Sequence, residues 1–108
     1  MMSNMKKLMQ QASTMQQDMK RVQEELASRT VEFSSGGGMV TATARGDGSL
    51  AELKIDPRVL EASDVEMMQD MVLAAVNGAL EASRQLQSDE MSKITEGMGL
   101  PGLPGLMG

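Results

Sequence analysis

Near the start of the chain, apolar positions fall at Met5, Leu8, Ala12, Met15, Met19, Val22 and Leu26, in alternating steps of three and four. That spacing is an a/d heptad of period 3.5 over three repeats, and it predicts an amphipathic helix. Gln, Lys, Asp and Glu dominate the intervening positions, with no Gly or Pro, so local propensity agrees with the pattern. A helix from about Ser3 to Ala27 is about 37 Å long at 1.5 Å per residue. A rod of that length cannot hide its whole stripe under one small sheet, so part of it is expected to project.

The period then changes to two. Thr30 to Ser34 alternates polar and apolar as a strand does. Gly36-Gly37-Gly38 reads as a turn or bulge, and Met39 to Arg45 alternates again, with Val40, Ala42 and Ala44 on one face and Thr41, Thr43 and Arg45 on the other. Gly46-Asp47-Gly48 supplies the positive φ values of a hairpin turn. Ser49 to Ile55 is a third strand, with Ala51, Leu53 and Ile55 expected on the core face, and Asp56-Pro57 ends it because proline cannot donate to a ladder.

Helical spacing resumes at Val65, Met68, Val72, Ala75, Ala79, Ala82 and Leu86, and Met71, Leu73, Val76 and Leu80 widen its first half. That breadth suits a helix crossing a sheet. Ser63-Asp64-Val65-Glu66 has the form of a capping box. Gly78 falls inside the pattern at about 1 kcal/mol relative to Ala, and its small size permits close packing. The pattern predicts an α+β fold in α-β-β-β-α order: a three-stranded antiparallel sheet flanked by two long helices. One domain over residues 1–96 is expected, with a flexible Gly/Leu/Pro/Met tail over 97–108 that cannot hold a packed core by itself.

The composition narrows the chemistry. There are 13 Met, one Phe, and no Tyr, Trp, Cys or His in 108 residues. Disulfides, Cys/His zinc sites and Ser-His or Cys-His nucleophiles are excluded. Net charge is −5, yet residues 1–29 carry five basic groups against three acids, while residues 61–108 carry two against eight. A basic helix on an acidic chain keeps nucleic acid open as a partner, because the local field matters more than the sum. One aromatic residue cannot supply stacking platforms for single strands. No Arg/Asn cluster suits base-specific readout, and the glycine triplet lacks a phosphate-loop pattern. With neither a signal peptide nor an apolar run of membrane-spanning length, a cytoplasmic location is expected.

These residues resemble a known family. Lys6-Lys7-Leu8-Met9-Gln10, Gly36-Gly37-Gly38-Met39-Val40, Ile55-Asp56-Pro57, Ala74-Ala75-Val76-Asn77 and the Leu-Pro-Gly-Leu run of the tail together look like the YbaB/EbfC family of bacterial nucleoid-associated proteins. The likeness covers nearly the whole chain. It implies a homodimer with helices projecting as tweezer-like arms. It also implies binding of double-stranded DNA with little sequence preference, a change in DNA conformation or packing that affects gene expression, and a location on the nucleoid. It implies no catalytic residue, cofactor, small-molecule substrate or membrane partner. Two positions depart from the family pattern: Thr41 stands where a strand Lys is frequent, and Gly78 where an acid commonly follows the Asn.

The candidate phosphate contacts are Lys6, Lys7, Lys20 and Arg21, followed by Arg29, Arg45 and Arg84. Lys6-Lys7 and Lys20-Arg21 lie two heptads, or about 21 Å, apart along one side of the helix. Such side chains bind phosphate by releasing counterions, without reading sequence. The alternative is a protein-interaction adaptor that holds hydrophobic peptides through its Met-rich helices and tail, since Met side chains adapt to varied partners.

Overall fold

The computed structural model describes residues 2–97. The elements are α1 (Met2–Ser28), β1 (Thr30–Ser35), β2 (Val40–Arg45), β3 (Leu50–Ile55), α2 (Pro57–Glu61) and α3 (Val65–Gly97), with a single 3-10 turn at Gly36–Gly38. The expected α+β architecture and the order of its long elements are present. The region expected to be a tail, apart from Gly97 at the end of α3, lies outside the described residues.

The strands form an antiparallel meander in the order β1-β2-β3. Between β1 and β2 all three glycines adopt positive φ, which only glycine does without steric cost. Val40, Ala42 and Ala44 are completely buried, as are Ala75 and Ala79 of α3. Alanines on both surfaces let the helix lie close on the sheet. Ser83 continues that row, fully buried, and its Oγ donates to the Arg45 carbonyl at 2.7 Å. Gln87 Nε2 donates to the Gly46 carbonyl at 2.6 Å. These two bonds satisfy carbonyls where the hairpin begins, beneath α3. At Gly78 the close packing is direct: a Cβ there would overlap the Phe33 ring. A side chain at position 78 would have to displace that ring.

Three sequence expectations need correction. First, the core face of β3 is Leu50, Leu53 and Ile55, because the pairing shifts between Thr43 and Ala44 and Leu50 rather than Ala51 lies opposite Ala44. A bulge inserts one residue and reverses the alternation beyond it. Second, the cap of α3 is Asp64, whose Oδ1 accepts from the Met67 amide at 3.0 Å. Ser63 takes φ +54° in the turn after α2, so no Ser63–Glu66 box forms. Third, the short helix α2 stands where the pattern predicts only the end of a strand. Asp56 caps it by accepting from the Arg58 amide at 2.9 Å, Pro57 occupies its first turn, and Val59 fills the core. That is the standard use of Asp before Pro at a helix start.

Coverage is uneven. α3 lies over β1 and β2 and scarcely reaches β3. Leu50 and Leu53 therefore remain 40% and 39% exposed on the apolar face. Leu73, expected to widen the buried face of α3, is 60% exposed. With Met68, Val72 and Val76 it lines a shallow apolar surface.

Candidate nucleic-acid interface

α1 leaves the sheet region at Arg29 and runs antiparallel to the last turns of α3. Thr14, Asp18, Val22 and Glu25 face Glu90, Lys93 and Ile94 across the groove between the two helices. The stripe is buried only at its C-terminal end: Val22 and Leu26 are each 5% exposed, whereas Met5 and Leu8 are 66% and 64% exposed. Leu26 is held against Gly46, where a Cβ would come within 2.6 Å of the Leu26 carbonyl oxygen. The Gly46 amide also donates to the Arg29 carbonyl at 2.8 Å. That junction anchors the helix at one end, and every residue from Asn4 to Thr14 is exposed.

The candidate cations fall into distinct environments. Lys6, Lys7 and Lys20 are exposed and make no ion pair among the described residues. Arg21 stands between Asp18 at 3.6 Å and Glu25 at 3.8 Å. Those exposed, long contacts hold it weakly. Arg29 is bonded to Glu90 at 2.9 Å, and Lys93 reaches the same oxygen at 3.0 Å. Hydrogen bonds from Lys93 and then Arg29 hold the Glu90 carboxyl below its usual pKa. Arg84 is turned onto Glu81, with both Nε and Nη2 on one carboxylate oxygen. Arg45 lies along the hairpin, 3.4 Å from Ser49 Oγ and from the Leu50 carbonyl. Lys6, Lys7, Lys20 and Arg21 thus share one helix, while Arg29, Arg45 and Arg84 are spread over other parts of the molecule.

Charge along α1 is also uneven. From Met2 to Gln17 the chain holds Lys6 and Lys7 and no carboxylate, and all three acids of the helix lie between Asp18 and Glu25. The projecting half therefore carries only positive charge, at Lys6 and Lys7, and the anchored half is mixed.

A further cation, outside the set expected from sequence, lies on the sheet. Lys54 stands across from Thr41 on the polar face, where Ser34 and Thr41 share a hydrogen bond at 2.8 Å. Its side chain is 75% exposed, with the ammonium 3.3 Å from Glu52. A positive charge thus returns one strand away from the position where the family commonly has Lys. Strand alternation alone marks 54 as an outward position, but the pairing with Thr41 depends on the register.

No group of three or more His, Cys, Asp or Glu side chains able to hold a metal occurs among the described residues, and no helix described is long and apolar enough to cross a membrane.

The comparisons with known proteins agree with one another. A nucleoid-associated protein of Acetivibrio thermocellus is 52% identical over 95% of this chain and 89% of its own length. One from Moorella thermoacetica is 52% identical over 94% and 97%, and one from Pelotomaculum thermopropionicum 49% identical over 93% and 95%. Among solved structures, an uncharacterized protein from Helicobacter pylori superposes with a TM-score of 0.73 at 28% identity, covering 81% of this chain and 91% of that one. The family model described as the YbaB/EbfC DNA-binding family matches residues 1–98. With the motifs, the fold and these relatives in agreement, this chain belongs to the YbaB/EbfC DNA-binding family.

Proposed function

We propose that this chain binds duplex DNA as a homodimer on the bacterial nucleoid, with little sequence preference, and alters the conformation or packing of the DNA. The observation that carries the reading is the projecting half of α1: two exposed lysines, no carboxylate, and no cover from the rest of the described chain. Lys6 and Lys7 are the leading phosphate contacts, with Lys20 next, because a cation without a protein partner gives up no existing bond when it meets phosphate. Arg21 joins them by releasing two long, exposed contacts. Arg29, Arg45 and Arg84 rank lower, since each is already engaged by its own chain.

The uncovered inner face of β3, with Leu50 and Leu53, lies on an edge strand. Apolar area beside an unpaired edge favours association with another chain, which supports placing the contact between protomers there. Two copies would then present two cationic arms. The domain we assign is residues 1–96, and no catalytic step or cofactor belongs to this reading.

Gel shifts on unrelated duplexes with wild type and a charge-reversal variant of Lys6, Lys7, Lys20 and Arg21 test it. Binding by wild type and loss in the variant is expected. Equal binding by both, or none by either at low salt, contradicts it.

A further inference from the structure

The apolar stripe of α1 continues beyond everything that covers it. Met5, Leu8 and Met9 are 66%, 64% and 70% exposed, and Ala12 is exposed as well. Met5, Leu8 and Ala12 keep the heptad phase of Val22 and Leu26, which are buried. α3 runs antiparallel to α1, faces it as far as Ile94, and is described as far as Gly97. A chain continuing past Gly97 in the direction of α3 travels toward the N-terminal end of α1.

That continuation is Met-Gly-Leu-Pro-Gly-Leu-Pro-Gly-Leu-Met-Gly, residues 98–108, and it contains no charged side chain. Leu100, Leu103 and Leu106 recur every third residue. A repeat of three matches one turn of a polyproline-type helix, in which residues so spaced share one side, about 9 Å apart. Pro101 and Pro104 hold φ close to the value this conformation needs. One heptad of α1 advances about 10.5 Å, so the two repeats nearly match. From the level of Asp18 to Met5 is about 20 Å along α1, and eleven residues at 3.1 Å each reach about 34 Å. A segment that cannot build a core of its own can still cover a stripe that already exists.

We propose that residues 98–108 dock along the exposed half of the α1 stripe, with Leu100, Leu103 and Leu106 against Met5, Leu8, Ala12 and Met15. The rival occupant is the same stripe of a second copy. The tail is tethered at Gly97, beside the stripe, and so acts at a high effective concentration. Docking steadies the far end of the arm through its apolar side. Lys6 and Lys7 occupy other heptad positions and stay open to solvent.

Hydrogen exchange on the full chain without DNA tests this independently of the function proposed above. Wild type is compared with a Leu100→Ser, Leu103→Ser, Leu106→Ser variant, at two protein concentrations, with dimer mass measured alongside. Amides from Met5 to Met15 are expected to exchange about tenfold faster or more in the variant, at either concentration, with those of β2 unchanged. Equal exchange in α1, or an equal rise across β2, overturns the proposal. So does protection in wild type that disappears on dilution together with the dimer mass, because a second copy is then the cover.

Discussion

Arg29, the residue just after α1, places its guanidinium 2.9 Å from the Glu90 carboxylate of α3, joining positions 61 apart in the chain. Lys93 shares the same oxygen, and only 14% of the Glu90 side chain is exposed. This pair ties the start of the arm to α3. It also makes Arg29 a structural residue before it can be a phosphate contact.

Arg29→Ala is therefore expected to act on stability rather than on DNA. The arginine is half exposed and such pairs contribute little, so only a small drop in thermal midpoint is expected. Duplex affinity should stay close to wild type. A fall in affinity as large as that from changing Lys6 and Lys7 would return Arg29 to the interface.

Gly78→Ala separates helix propensity from packing. Propensity favours Ala by about 1 kcal/mol, but the new methyl overlaps the Phe33 ring, and overpacking costs about 1–3 kcal/mol. Net destabilisation is expected in urea unfolding. Removing the ring in a Phe33→Ala background should cancel much of the penalty, giving a non-additive pair. Additive effects would mean that the ring does not lie where α3 meets it.

Ser83→Ala leaves the Arg45 carbonyl without its buried donor. A buried acceptor stripped of its partner costs about 1–3 kcal/mol. A change in unfolding free energy within about 0.5 kcal/mol, as at an ordinary surface site, would show that the bond contributes little.

Acid should weaken the fold in a defined way. Hydrogen bonds from the Arg58 side chain and amide lower the Asp56 pKa to about 2, against about 3.9 for a free Asp. Its contribution is thus complete above about pH 4 and fades as pH falls toward 2. Asp47, bonded to the Ser49 hydroxyl and amide, and Glu90 are depressed in the same sense. Thermal midpoints of wild type should decline through this window, while Asp56→Asn starts lower and declines less. Parallel curves would show that Asp56 has no part in the acid response.

The long elements are legible in the sequence because periodicity and local propensity agree from Met5 to Leu26, and again from Met68 to Leu86. The details that differ depend on information outside the local pattern. The bulge opposite Thr43 and Ala44 is a property of two paired strands, so alternation alone points to Ala51 where the inner face of the sheet carries Leu50. Ser63-x-x-Glu66 and Asp64 are competing caps, and the αL turn that ends α2 decides for Asp64. The helix α2 is within reach, since Asp56-Pro57 reads equally as a strand stop and as a helix start. At the candidate interface, the cationic residues are visible as types. Which of them are already occupied is not, because Arg29 meets its carboxylate only through the tertiary fold.

Whether the projecting half of α1 holds the DNA is decided by a salt series of affinity for one duplex, comparing wild type with Lys6→Glu, Lys7→Glu. The double variant should bind more weakly at low salt. Its dependence of log K on log salt should be shallower, by about 0.9 for each phosphate no longer neutralised. Arg84→Glu should leave both quantities nearly unchanged. Identical slopes and affinities for wild type and the double lysine variant would place the DNA elsewhere on the molecule.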